Sequence, residues 1–313
     1  MNKLATITPT GLTTDQQAIL EAIVTQAETI FTTFDITEAT KQDYQYRIQL
    51  FQDYIKEHGF NRNTYREYKQ YLKARTDLST SSKNKYLITA KIFLKELHQQ
   101  GLPTDITENT KGFRQDKKHK KDGLNHKEIS ILVDKLQTLP NTPRNTRIKA
   151  IFSLLALQGL RQVEVTRLDV TDLDLANKRA FILGKGRDDK EPIDLHPEAV
   201  AMVKEYIRTN KIKDGALFTS LSNNSKRERL TTRGLRGVVK EILNELAIDK
   251  TTHGFRHYFT TTLVKNFKGD LLKVSQFTRH KSLEMLQVYF DETKKQEDLP
   301  KYYNAFNGVH FTH

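Results

Sequence analysis

The stretch from residue 102 to residue 123 (LPTDITENTKGFRQDKKHKKDG) constrains this chain most, because it has no apolar periodicity and is flanked on both sides by helices with apolar stripes. Such a run cannot sit in a core, so it divides the chain into a smaller N-terminal unit and a larger C-terminal one. Upstream, Tyr44, Ile48, Phe51 and Ile55 fall on one face of a helix over 38–58, which Gly59 ends. Tyr65, Tyr68 and Leu72 stripe a helix over 63–75; Tyr86, Ala90, Phe93 and Leu97 stripe another over 80–100, stopped by Gly101 and Pro103. A first helix is expected over 13–33, capped by Thr13 or Thr14.

Downstream, helices are expected over 126–137 (capped by Asn125), 144–160, 197–210, 231–247, 253–266, 269–279 and 282–290, with a short one near 297–306. Between them RAFILG (179–184) and KEPIDL (190–195) alternate as strands, joined by the turn GKGRDD. The expected fold is mainly α with a small antiparallel β-sheet: a helical N-terminal domain and a larger α+β domain. The expected boundaries are an extension 1–34, a helical domain 35–110, a basic linker 111–123, the larger domain 124–291 and a tail 292–313.

Lys and Arg number 51 against 38 Asp and Glu, a net charge of +13. A surplus of that size fits a polyanionic partner, and equally a merely basic surface; its distribution has to decide. The linker supplies one such distribution. Lys111, Arg114, Lys117, Lys118, Lys120 and Lys121 face a single Asp116 there, a pattern read as a tether lying along a phosphate backbone. Extended, its ~20 residues reach ~65–70 Å, ample to pass around a duplex whose major groove is ~12 Å wide. Cysteine is absent, which excludes disulfides, thiolate nucleophiles and zinc–thiolate sites. No apolar run approaches the ~18–20 residues of a membrane span. The start MNKLATITPT lacks a secretory pattern, so a cytoplasmic location without membrane attachment is expected.

Four places carry chemistry. Arg161 follows an apolar helix and a Gly-Leu turn, with Glu164 positioned to grip it; a structural ion pair and a rigidly held anion-binding guanidinium both fit. Lys185 lies at the tip of the hairpin in GKGR, where flanking glycines allow close backbone approach, although a turn lysine is also an ordinary surface charge. His253, Arg256 and His257 form HGFRH on one helical face. A zinc reading fails because Gly254 replaces the Glu of HExxH; an oxyanion held by an Arg fork and an imidazole fits better, and His257 is also readable as a structural histidine. His280 and Tyr289 stand nine residues apart in TRHKSLEMLQVYF.

In this order — GLRxxE, GKG, HGFRH and H-x8-Y — the set resembles the tyrosine recombinase (phage integrase) family, closest to its single-chain Xer and phage-integrase type, over about 125–291. The resemblance implies a core-binding domain ahead of a catalytic domain. It implies that Arg161 and Arg256 clamp the scissile phosphate, that His253 and His280 donate hydrogen bonds to it, and that His253 assists removal of the nucleophile's proton. Lys185 would protonate the leaving 5′-oxygen. Tyr289 would attack phosphorus to give a 3′-phosphotyrosyl link, with Glu164 and His257 as supports. No metal and no cofactor are expected. Ionising a phenol of pKa ~10 at neutral pH costs about 4 kcal/mol, which neighbouring cations offset. Two Arg forks also suit the equatorial oxygens of a phosphoryl transition state.

The chain departs from the family pattern in three places. Thr278-Arg279 stands where Leu-Gly is common, which alters local packing or brings Arg279 to phosphate. Phe255 replaces the usual Leu, and no His follows two residues after Tyr289.

The resemblance also implies double-stranded DNA as partner and a homotetramer on two DNA sites. Arg233, Arg236 and Lys240 line a helix whose apolar face is read as Leu235, Val238, Ile242 and Leu246; they are candidate DNA contacts or a solvated face. Arg66, Lys69 and Lys73 are their counterparts in the N-terminal domain. In the tail Tyr302, Tyr303 and Phe306 offer an apolar anchor for a neighbouring protomer, or for docking in cis. A type IB topoisomerase-like activity and a non-catalytic DNA-binding relative are the competing readings.

Overall fold

The computed structural model describes residues 20–21, 23, 25–26, 29–102, 105–114, 123–184, 186–221, 228–280 and 282–307. By its internal contacts the chain divides between Lys117 and Lys118 into two compact units.

The N-terminal unit packs three helices, α1 (Glu38–His58), α2 (Thr64–Ala74) and α3 (Thr80–Gln99), around one apolar core. Ile48, Phe51 and Ile55 of α1, Tyr65, Tyr68 and Leu72 of α2, and Ala90, Phe93 and Leu97 of α3 are all buried in it. Burial of each large aliphatic or aromatic side chain contributes about 1.5–3 kcal/mol. Gly59 ends α1 at φ +77°, and the Ser79 side chain caps α3 by accepting from the Ser82 amide. Tyr65 donates its hydroxyl proton to the Leu87 carbonyl at 3.0 Å, which satisfies a phenol that burial would otherwise penalise. Asn84 clasps Phe113, donating to its carbonyl at 3.0 Å and accepting from its amide at 2.7 Å, so the first linker residues lie against α3. The expected helix over 13–33 falls partly outside the described residues; its end, Ile30–Thr33, is a 3₁₀ turn.

In the C-terminal unit, α4 (His126–Thr138) starts on a capping box between Asn125 and Glu128. α5 (Pro143–Gln158) is buried on most sides, including Ala150, Ile151, Leu154 and Leu155, as its continuous apolar run predicts. α6 (Gln162–Arg167) follows. The sheet consists of β1 (Leu173–Asp174), β2 (Arg179–Leu183) and β3 (Lys190–Asp194), antiparallel in the order β1-β2-β3. Ala180 pairs with Ile193 and Leu183 with Lys190. Ala180 and Ile182 point into the core while Arg179 and Phe181 face out, the period-two pattern of a half-buried strand. α7 (Pro197–Asn210), α8 (Thr232–Glu245), α9 (Thr252–Asn266), α10 (Leu271–Thr278) and α11 (Leu283–Asn304) complete the unit. Among the described residues no helix is long and apolar enough to cross a membrane.

Two details correct the sequence reading. On α8 the buried face is Leu235, Val239, Ile242 and Leu243, with Val238 and Leu246 only partly covered, so it is turned by one residue. Instead of ending near 290 and restarting, α11 runs unbroken through Pro300. The proline sits one turn from the end, where the missing amide removes a single helical bond.

Candidate active site

Arg161 is placed by the end of α5. Gly159 closes that helix in the left-handed region at φ +56°, and a Cβ there would lie 2.4 Å from Cδ1 of Phe259. Glycine is therefore required twice over, by conformation and by space. After it, Leu160 is fully buried and Arg161 caps α6. Glu164 holds Arg161 in two ways: Oε2 accepts from the Arg161 amide at 2.8 Å and Oε1 from its guanidinium at 2.9 Å. The Glu164 side chain is wholly buried. Burial pushes its pKa up, but the Arg279 charge and the Arg161 amide outweigh that and leave it below the usual carboxylate value.

Arg256, on α9, is 2% exposed. It donates to the Gly159 carbonyl at 2.8 Å and to the Thr278 carbonyl at 2.5 Å. Both ends of its fork thus fix backbone from α5 and α10, and the two arginines meet at the Gly159–Arg161 turn. Burial, with the facing charge of Arg161, pulls the Arg256 pKa down to about 10, still a full cation at neutral pH.

His280 lies beside this fork, with Nε2 3.5 Å from the Arg256 guanidinium and Nδ1 2.8 Å from the Thr278 hydroxyl. Burial and the neighbouring Arg256, Arg161 and Arg279 charges push its pKa down to about 3, so it is neutral. Tyr289 on α11 is 4% exposed and belongs to a small apolar cluster with Val264, Val274 and Leu286. Its ring lies 6.0 Å from that of His280 and 5.2 Å from that of His257, which in turn is 4.6 Å from His253. Burial raises the phenol's pKa to about 12, against the pull of the Arg256 and Arg161 charges. His253 itself is exposed, in the first turn of α9.

The structure thus gathers Arg161, Glu164, His253, Arg256, His257, His280 and Tyr289 into one place in the C-terminal unit. Lys185 lies outside the described residues. The turn that carries it is anchored on one side, where the Gly184 carbonyl accepts from Arg167 at 3.4 Å. Lys117, Lys118, Lys120 and Lys121 also lie outside the described residues. Arg233, Arg236 and Lys240 are exposed on α8, and Arg66 and Lys73 on α2. Lys69 is half-buried, its ammonium 5.5 Å from the centre of the Phe113 ring. Tyr302, Tyr303 and Phe306 are exposed towards the end of α11.

Two participants escaped the sequence reading. Thr278, visible in the sequence only as part of the Thr278-Arg279 departure, gives its carbonyl to Arg256 and sets its hydroxyl 2.8 Å from Nδ1 of His280. Arg279 was visible only as a bulky departure from a common glycine. Its side chain, 7% exposed, forms ion pairs with Glu164 at 2.9 Å and Glu191 at 3.3 Å. It therefore changes the packing and does not project as an open phosphate ligand.

Comparison with known proteins matches residues 123–296 to the phage integrase family and residues 27–101 to the phage integrase N-terminal SAM-like domain. The tyrosine recombinase XerC of Halalkalibacterium halodurans is 31% identical over 179 residues, which cover 55% of this chain and 58% of that protein. The tyrosine recombinase XerD of Oceanobacillus iheyensis is 31% identical over 210 residues, 64% of this chain and 69% of that protein. Among solved structures, the XerH site-specific recombinase bound to a palindromic difH substrate, a post-cleavage complex, superimposes with a TM-score of 0.70 at 20% identity, covering 84% of this chain and 79% of that one. A lambda integrase tetramer bound to a Holliday junction gives 0.67 at 14% identity, covering 88% and 78%. At these identities the two structures establish a shared fold.

Proposed function

Since the chain belongs to the phage integrase family, we propose that it is a site-specific DNA recombinase that cuts and rejoins duplex DNA through a covalent 3′-phosphotyrosyl intermediate at Tyr289. The carrying observation is that the Tyr289 phenol lies among neutral His280, His257 and the charges of both Arg161 and Arg256. In this reading the phosphate enters between the two guanidiniums, which neutralise its equatorial oxygens without reorganising. The imidazoles of His280 and His253 add hydrogen bonds. The phenolic oxygen attacks phosphorus and passes its proton towards His253. The P–O5′ bond breaks, and the leaving oxygen takes a proton from Lys185. Reversal with a different 5′-hydroxyl rejoins the strand, because the phosphotyrosine conserves the phosphodiester energy.

Burial that keeps the free phenol protonated also keeps it unreactive until DNA brings its phosphate. The exposed cations of α8 (Arg233, Arg236, Lys240) and of α2 (Arg66, Lys73), together with the half-buried Lys69, serve as DNA contacts, and the basic linker runs along the backbone between the domains. The working assembly is a homotetramer on two DNA sites, with Tyr302, Tyr303 and Phe306 docking on a neighbouring protomer. The test is incubation with nicked suicide duplexes of randomised sequence, where cleavage releases a short strand and traps the protein. A DNA adduct formed by the native chain and absent from Tyr289→Phe is expected; no adduct on any duplex overturns the reading in favour of mere binding.

A further inference from the structure

Arg279 stands at φ +55°, in the left-handed region where glycine is relaxed and a residue with a Cβ is strained. Such a residue persists when its surroundings over-determine it, and here they do. Arg161 pairs with Glu164, Glu164 with Arg279, Arg279 with Glu191 of β3, and Glu191 with Arg187 in the β2–β3 turn at 3.3 Å. Signs alternate along the whole chain of five side chains. Its middle, Glu164 and Arg279, is almost wholly withdrawn from water, where charge pairs hold their geometry most firmly. At one end stands Arg161; at the other, Arg187 is two residues after Lys185 in sequence. Both terminal nitrogens of Arg279 donate to carboxylates, which neutralise its charge, whereas Arg256 donates to neutral backbone carbonyls and keeps its charge for a phosphate.

We propose that Arg279 is a positioning residue that, through Glu164 and Glu191, ties β3 to the Arg161 clamp, and that protonation of the leaving oxygen depends on this tie. This rests on the reading of Lys185 as the proton donor. A displacement of about 1 Å in a reacting group costs ~10²-fold in rate, and a positioned proton donor contributes ~10²–10⁴-fold.

The test uses a nicked duplex carrying the junction recovered by sequencing the covalent adduct, prepared with either oxygen or sulfur at the 5′-bridging position. A thiolate departs without a proton, so sulfur removes the need for a donor. Arg279→Gly, which relaxes the backbone, and Glu191→Gln, on a partly exposed side chain, each remove one link. Both are expected to slow adduct formation by ~10²-fold on the oxygen duplex and by less than about threefold on the sulfur duplex. Lys185→Ala should show the same rescue. If sulfur does not rescue Lys185→Ala, the donor reading fails and takes the proposal with it. If it does, while Arg279→Gly and Glu191→Gln slow both duplexes equally or neither, only the positioning role is overturned.

Discussion

Arg256 donates to the carbonyl of Gly159 at 2.8 Å, so the second guanidinium of the site is fastened to the turn that sets the first. The two arginines, far apart in the chain, form one rigid piece. Any change that moves the turn moves both.

Gly159→Ala therefore acts on stability and activity together. The new methyl meets Phe259 while the backbone stays in the left-handed region. A loss of about 2–4 kcal/mol is expected, read as a lowered midpoint in urea unfolding, with adduct formation lost in step.

Arg256→Lys keeps a positive charge but not the fork. One ammonium cannot serve the Gly159 and Thr278 carbonyls and a phosphate at once. Adduct formation should fall by ~10²–10³-fold, while affinity for duplex DNA, measured by fluorescence anisotropy, changes little.

His280 sets an acid limit on stability. Its folded pKa, about 3, lies below the unfolded value of 6.5, so the unfolded chain binds the extra proton between them. The stabilisation is complete above pH 6.5 and is lost as pH falls through that window. Glu164, also held low, adds to the loss only below its ordinary value of 4.5. Melting temperature should therefore drop on acidification from pH 6.5 to 4.5, and this slope should flatten in His280→Asn.

Cation contacts give a salt signature. The logarithm of the DNA association constant should fall linearly with that of salt concentration, and each of Arg233→Ala, Arg236→Ala and Lys240→Ala should reduce the slope by about one. An unchanged slope assigns that residue to a solvated face.

Much of this arrangement was legible in the chain because its signals are local. Apolar stripes such as Tyr65, Tyr68 and Leu72 report a buried helical face directly, and Asn125 with Glu128 announces a helix start. Val239 taking the place of Val238 on α8 was not legible, since two adjacent valines satisfy the periodicity almost equally. Nor was the continuity of α11 through Pro300, because a proline near a helix end forfeits only one bond. The Arg279 network was invisible for a different reason. Its partners lie 115 and 88 residues away, and only the folded chain brings them together.

The most direct measurement is the chemical identity of the trapped residue. Adduct made on a nicked duplex is digested with protease and nuclease, and the peptide carrying the residual nucleotide is sequenced by mass spectrometry. A phosphotyrosyl bond on Tyr289 to the 3′ side of the nick-generated break is expected. A link to any other residue, or to a 5′ phosphate, contradicts it.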